Sequence, residues 1–180
     1  MNKMDIRSQM KIKRKESSEQ FINNASAIIR DKFLSEFGHF KSFATYWEIN
    51  SEVKTSELIN LLIHLGKTVY LPIYRKDSMG FGLYNGLKEA ITNKMGAKEP
   101  MNIIRLTNVD VIVVPALAFN REGFRIGYGV GFYDRVLKKI RTKHKVGFAY
   151  DFQIVDEIPI DPYDEPVDVV ITEKNTYRRT

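Results

Sequence analysis

The chain predicts an α/β fold, a three-layer open and mostly parallel sheet with helices on both faces. Three observations carry that expectation. Apolar runs of strand length alternate with apolar stripes at helical spacing. Val109 to Val114 is apolar on both pleat faces, as a central parallel strand is. A glycine ladder, Gly127-Tyr128-Gly129-Val130-Gly131, follows that strand and precedes a helical stretch from Phe132. Ligands of open α/β sheets bind at the carboxyl ends of such strands.

The elements follow in order. Residues from about Asp5 to Lys15 read as a helix. Ser17, with Gln20 three positions on, resembles a capping box that opens a second helix. Its apolar stripe is Phe21, Ile22, Ala25, Ile28, Ile29 and Phe33, and Gly38 ends it. Phe43 to Ile49 reads as a strand. Thr55 caps a third helix, in which Leu58, Leu61, Leu62 and Leu65 share a face and Gly66 closes the end. Thr68 to Leu71 is a short strand stopped by Pro72, and Phe81 to Tyr84 another, ended by Asn85-Gly86. Phe132, Val136, Leu137 and Ile140 form the buried side of the fourth helix. Val146 to Tyr150 and Val167 to Ile171 are the last strands. No repeat or linker divides residues 1–180, so a single domain is expected.

The 180 residues are 43% hydrophobic and 28% charged, as in soluble globular domains. No apolar run is long enough to span a bilayer, and no signal-peptide pattern opens the chain. The absence of cysteine excludes disulfides, thiolate metal sites and a cysteine nucleophile, and it suits a cytoplasmic location. The net charge is +6, with two basic runs: Lys11, Lys13, Arg14, Lys15, and Lys138, Lys139, Arg141, Lys143, Lys145. Such runs can bind nucleic acid or an anionic ligand. A solvated helix face is the simpler reading of the second. No aromatic residues interleave the first, so no nucleic-acid partner is expected. Nothing calls for a membrane partner, and a monomer is favoured.

Glycines at alternate positions leave backbone N–H groups bare for an anion. Arg125 enters the ladder and Asp134 leaves it, so one turn offers a cation, amides, an aromatic ring and a carboxylate. That is a kit for a nucleotide phosphate and its metal ion. The ladder is G-x-G-x-G, not the dinucleotide fingerprint G-x-G-x-x-G. Gly66-Lys67-Thr68 resembles the end of a P-loop, but Leu61 stands where its first glycine belongs, so it reads as a helix stop. His39, His64 and His144 lack metal-ligand spacing, and no G-x-S-x-G elbow exists. Asp161, Asp164, Glu165 and Asp168 form either a solvated turn or a second oxygen ligand for a magnesium ion shared with Asp134. Glu52, just past Trp47, is either a helix-dipole carboxylate beside a core indole, or an acceptor beside an aromatic wall for a flat heterocycle.

With these motifs in order, the chain resembles the 5-formyltetrahydrofolate cyclo-ligase family, also called methenyltetrahydrofolate synthetases, over nearly its whole length. Val113 to Asp134 is similar to V-P-x-x-A-F-D-x-x-G-x-R-L-G-x-G-x-G-Y-Y-D. Lys3-x-x-Ile6-Arg7 resembles K-x-x-L-R, Glu52-Val53-x-Thr55 resembles E-V-x-T, and Gly66-Lys67-x-Val69-x-Leu71-Pro72 resembles G-K-x-V-x-x-P. Glu99-Pro100, Asp164-x-x-Val167-Asp168 and Ile171-Thr172-Glu173 also match in register.

The resemblance implies cyclisation of 5-formyltetrahydrofolate to 5,10-methenyltetrahydrofolate, dependent on ATP as co-substrate and on Mg2+, with release of ADP and phosphate. By matching position, Lys3, Met4, Asp5, Ile6 and Arg7 contact ATP, with Lys3 and Arg7 as phosphate cations. Arg125, Ile126, Gly127, Tyr128, Gly129, Val130, Gly131, Phe132 and Tyr133 wrap the triphosphate, and Arg125 is the expected catalytic residue. Tyr128, Gly129, Val130, Gly131 and Phe132 also line the folate side. Trp47 and Glu52 hold the pterin, and Asp134 and Asp164 bind the metal. Asn120, Val130 and Phe132 depart from the family pattern, where Asp, Gly or Lys, and Tyr are usual. Arg125→Ala is expected to abolish turnover with the fold retained.

Overall fold

The computed structural model describes residues 2–179. Its helices are α1 (Lys3–Glu16), α2 (Glu19–Phe37), α3 (Ser56–His64) and α4 (Phe132–Leu137). Its strands are β1 (Ser42–Ala44), β2 (Thr68–Tyr74), β3 (Met79–Leu83), β4 (Ala90–Thr92), β5 (Lys98–Pro100), β6 (Asn108–Pro115), β7 (Ala118–Phe119), β8 (Arg125–Ile126), β9 (Arg141–Phe148), β10 (Val169–Ile171) and β11 (Thr176–Arg178). Seven strands form one sheet in the order β11-β10-β9-β6-β1-β2-β3; β4-β5 and β7-β8 are separate two-stranded pairs. The inner strands β10, β9, β6, β1 and β2 run parallel, while β3 and β11 add antiparallel edges.

The sheet is sandwiched as the sequence predicts. On β6, Val111 and Val113 pack into the core that holds Ile29 and Phe33 of α2 and Leu58 and Leu62 of α3. The alternate residues Ile112 and Val114 join Val136 and Leu137 of α4 on the opposite face. That is the period-2 consequence of a strand buried on both sides. Each fully buried large apolar chain stabilises by about 1.5–3 kcal/mol, so the apolar stripe of α2 commits that helix to the sheet. A third cluster seats Ile6 and Met10 of α1 against Leu117, Ala118 and Ile126 of the β7–β8 hairpin. No helix among the described residues is long and apolar enough to cross a membrane.

Several elements differ from the expectation. Helix α2 is capped by Ser18, whose hydroxyl accepts from the Phe21 N–H at 3.1 Å; Ser17 caps the end of α1 instead. Strand β1 stops at Ala44 instead of running to Ile49. Thr55 makes no side-chain cap to α3; the Glu48 carboxylate accepts from the N–H groups of Thr55 and Ser56 at 3.1 and 2.9 Å. Strand β2 runs through Pro72 to Tyr74. Tyr70 turns its carbonyl toward the β1 side, accepting from Thr45 N–H at 3.0 Å. Pro72 has the same orientation two residues on, where β1 has already ended, so its missing N–H costs no ladder bond. Helix α4 is six residues long, too short for a sizeable dipole and ending before Ile140. Arg141, Lys143 and Lys145 lie on strand β9, not on a solvated helix face.

The chain order places the functional crevice. From β1 the connection runs through α3 to β2; from β6 it runs through α4 to β9, on the other side. The switch point therefore lies between β1 and β6, where carboxyl ends of strands open a cleft.

Candidate active site

Residues 45–55 leave β1 as a tightly pinned arm. Tyr46 Oη donates to the Val53 carbonyl at 2.9 Å, and Tyr150 Oη donates to the Glu52 carbonyl at 3.0 Å. At the tip, the Glu52 N–H donates to the Ile49 carbonyl at 3.1 Å. Asn50 and Ser51 between them sit at φ of 47° and 59°, both left-handed. That geometry, as in a type I′ turn, costs roughly 1–2 kcal/mol per non-glycine residue. The Glu52 Oε2 accepts from the Ile49 N–H at 3.0 Å, and its Oε1 accepts from Tyr128 Oη at 3.3 Å. Burial pushes the Glu52 pKa up to about 6, against the lowering pull of the nearby Arg14 guanidinium.

The second arm leaves β6. Leu117 to Ile126 fold back as the β7–β8 hairpin, which delivers Arg125 into the cleft. Gly123, at φ +83°, lies so close to the Val167 carbonyl that an added Cβ would sit 2.1 Å from it, so only glycine fits this corner. Arg125 is 8% exposed. Its Nη1 donates to the Glu165 carbonyl and its Nη2 to Asp134 Oδ1, each at 2.5 Å. Burial lowers its pKa, against the raising effect of Asp134, and a guanidinium remains charged in such a pair. Gly129 and Gly131 adopt φ of +102° and +68°, which orients the backbone of the ladder as no side-chain-bearing residue readily would.

Helix α1 supplies two cations one turn apart. Lys3 Nζ donates to Asp161 Oδ2 at 2.6 Å and Asp164 Oδ2 at 2.9 Å. Its pKa is raised: burial opposes this, but the hydrogen bonds to the two carboxylates prevail. The Asp164 pKa is lowered: burial opposes this, and the Asp161 N–H and Lys3 outweigh it. Arg7 Nε donates to the Gly127 carbonyl at 3.0 Å and has no carboxylate partner among the described residues. Met4 and Asp5, at intermediate rotations on the same helix, are exposed, and Ile6 is buried against the β7–β8 hairpin. Of the five residues Lys3 to Arg7, only the two ends reach the cleft.

Together these arms enclose a cavity of about 520 Å³. Lys3, Arg7, Trp47, Glu52, every residue from Arg125 to Asp134, and Asp164 line it. Of the two residues whose readings were left open, Glu52 lines the cavity, and Trp47 lines it while also packing against the core. Asp161 of the acidic cluster lines it too, and sequence reasoning missed Tyr46, Ile49, Asn50, Tyr74, Met95, Ala97 and Pro115, which also line it. Met95 and Ala97 arrive on the turn joining β4 to β5, a hairpin with no strong apolar pattern to announce it. The acidic cluster is divided: Asp161 and Asp164 face the cavity, whereas Glu165 pairs with Lys145 at 3.3 Å and Asp168 accepts from the Lys145 N–H at 2.7 Å. Arg14, counted in the first basic run, is 2% exposed and committed to the Ile49 and Asn50 carbonyls and Tyr128 Oη behind the cavity lining, which removes it from any solvated nucleic-acid surface.

The donor set fits a hard divalent cation. Asp134 and Asp164 each use one carboxylate oxygen within the protein, Oδ1 and Oδ2 respectively, and each has its second oxygen without a protein hydrogen bond among the described residues. Two carboxylates completed by phosphate oxygens suit magnesium. No group of three His, Cys, Asp or Glu gathers anywhere among the described residues, this site included, so the remaining ligands must come from substrate and water.

Comparison with known proteins agrees with this architecture. The pattern of the 5-formyltetrahydrofolate cyclo-ligase family matches residues 1–173. The 5-formyltetrahydrofolate cyclo-ligase of Escherichia coli K12 is 34% identical over 138 residues, covering 72% of this chain and 76% of its own. The 5,10-methenyltetrahydrofolate synthetase structure from Aquifex aeolicus superposes with a TM-score of 0.87 at 34% identity, over 99% of this chain and 93% of the other. That from Mycoplasma pneumoniae gives 0.74 at 27% identity, over 96% and 99%. A switch-point cleft that joins a glycine ladder to a buried carboxylate, on a chain matched from end to end, makes this protein an enzyme of the 5-formyltetrahydrofolate cyclo-ligase family.

Proposed function

We propose that the chain cyclises 5-formyltetrahydrofolate to 5,10-methenyltetrahydrofolate, consuming ATP and releasing ADP and phosphate. The observation that carries this reading is the continuity of one cavity between a phosphate-type lining and a heterocycle-type lining. Arg7, Arg125, the glycine ladder, Trp47 and Glu52 all line it, and Tyr128 of the ladder donates to Glu52 Oε1 at 3.3 Å.

The chemistry needs a leaving group, because an amide oxygen departs poorly. The formyl oxygen attacks the terminal phosphorus, and the phosphorus–oxygen bond to ADP breaks. The neighbouring amine nitrogen then attacks the formyl carbon and gives up its proton to water. The carbon–oxygen bond breaks, and inorganic phosphate leaves. Positioning and charge neutralisation supply most of the rate in such transfers. In this reading Arg125 stabilises the charge of the transferred phosphoryl group, held in line by Asp134 and the Glu165 carbonyl. Arg7 and Lys3 meet the remaining phosphate oxygens, and the ladder amides face the triphosphate. Glu52, ionised at neutral pH, accepts from the N–H groups of the pterin, with Trp47 as its apolar neighbour. Asp134 and Asp164 would hold Mg2+ through their open oxygens. That ion would supply phosphate neutralisation and orientation.

Mixing the protein with 5-formyltetrahydrofolate and Mg-ATP should raise the near-ultraviolet absorbance of the methenyl product, with one phosphate released per product. Folded protein that gives no rise, beside an active control enzyme, overturns the proposal.

A further inference from the structure

We infer that Arg14 is a positioning residue for the folate substrate: it grips the 49–52 turn and Tyr128 so that the Glu52 carboxylate faces the cavity. The inference rests on the proposed pterin-binding role of Glu52. Arg14 sits on the last turn of α1 and does not line the cavity itself. Its Nη2 donates to the Asn50 carbonyl at 2.5 Å and to the Ile49 carbonyl at 3.3 Å. Its Nη1 donates to Tyr128 Oη at 3.2 Å. The same Nη2 lies 3.9 Å from Glu52 Oε1, and Tyr128 Oη donates to that oxygen. One guanidinium therefore ties α1, the left-handed turn and the glycine ladder into a single frame around the carboxylate.

A surface helix has no packing need for a buried arginine. Arg14 is 2% exposed, and its Nε is buried without a hydrogen-bond partner. Burying a cation with an unmet donor is unfavourable unless its other contacts are required. Those contacts all converge on the two arms of the cleft. The turn it grips is itself strained, with Asn50 and Ser51 both left-handed, which is where an external clasp matters most. The groups that face Glu52 are Arg14 from α1, Tyr128 from the ladder, Glu48 and Tyr46 from its own arm, Tyr74 from β2, Tyr133 from α4 and Tyr150 beyond β9. Arg14 is the cation among them. It holds the carboxylate in its ionised, accepting form, and its removal would drive the Glu52 pKa above about 6.

The test compares wild type with Arg14→Met, Arg14→Lys and Arg14→Met/Ser51→Gly. KM and kcat are measured for 5-formyltetrahydrofolate and for Mg-ATP, folate binding is followed from acid to neutral pH, and melting temperature monitors folding. Arg14→Met is expected to raise folate KM about ten-fold or more, with ATP KM changed less than about two-fold. It should also move the midpoint of acid-induced loss of folate binding upward by about one pH unit. Arg14→Lys keeps the charge but not the two-carbonyl grip, so it should restore the midpoint and leave folate KM raised; it carries the test alone if Arg14→Met does not fold. Ser51→Gly relieves a left-handed residue and should recover part of the folate KM without moving the midpoint. Folate and ATP KM rising in parallel, or an unmoved midpoint in a folded Arg14→Met, overturns the inference while the activity stands. A wild type inactive on the folate overturns the functional reading and the inference together.

Discussion

Arg125→Ala separates two duties of one side chain. The side chain is 4% exposed, with one hydrogen bond to the Glu165 carbonyl and an ion-paired one to Asp134, both at 2.5 Å. Bonds of this charged kind are worth about 1.5–3 kcal/mol each. Asp134 is itself 26% exposed and rehydrates when freed, so the charged pair is discounted, and the expected loss is about 3 kcal/mol. In a domain of this size that lowers Tm by about 6–12 °C. The fold is therefore expected to be retained but weakened. The loss of turnover is larger and independent of it, because an arginine on a transferred phosphoryl group is worth about 10³–10⁵ in kcat. Arg125→Lys keeps the charge and loses the fork, so it should recover about half of the Tm loss and little of the turnover. Thermal melts and near-ultraviolet product formation, measured well below every Tm, read the two effects separately. Full turnover in Arg125→Ala, or turnover that returns in step with stability in Arg125→Lys, refutes the reasoning.

Three further outcomes are expected. Gly129→Ala forces an L side chain into φ +102°, against the Arg7 guanidinium at 3.6 Å; it should cost about 1–2 kcal/mol and raise ATP KM more than folate KM in steady-state kinetics. Glu52 has a folded pKa raised to about 6 from an ordinary 4.5, so the folded state binds its proton more tightly and stability falls as pH rises through that window. Glu52→Gln removes this slope, and denaturant titrations should show its stability relative to wild type rising by about 2 kcal/mol in all from well below pH 4.5 to well above pH 6, while folate binding is lost. Phe33 is fully buried among Phe37, Phe43 and Phe148, at centroid separations of 5.4, 5.9 and 5.3 Å; Phe33→Ala should cost about 3–5 kcal/mol in chemical denaturation, with folate and ATP KM unchanged in whatever remains folded.

The layered architecture was legible because β6 and α2 carry unambiguous periods, one apolar on both pleat faces and the other a helical stripe. The errors share one physical origin: local signals were overridden by side chains from elsewhere. Phe43 to Ile49 has strand composition, yet the Glu48 carboxylate is drawn off to cap α3 and the chain leaves the sheet at Ala44. Pro72 breaks strands in general, but not where the neighbouring strand has already ended. The short strands β4, β5 and β11 have too few residues for a period to emerge. Within the site, the glycine ladder, Arg125 and Asp134 are contiguous in sequence and could be seen there. Arg14 looked like one more surface cation, because its partners lie 35 and more residues away. Only the fold turns a member of a basic run into a clasp behind the cavity lining.

The cavity carries its own counter-ions: Arg125 with Asp134, and Lys3 with Asp161 and Asp164. An anion arriving alone must displace carboxylates from these cations, and a cation arriving alone must displace the cations from the carboxylates. A ligand that brings both signs trades partners pairwise and strands no charge. Metal and triphosphate would then each strengthen the binding of the other, by the same factor in both directions. Either alone would then bind more weakly than the two together.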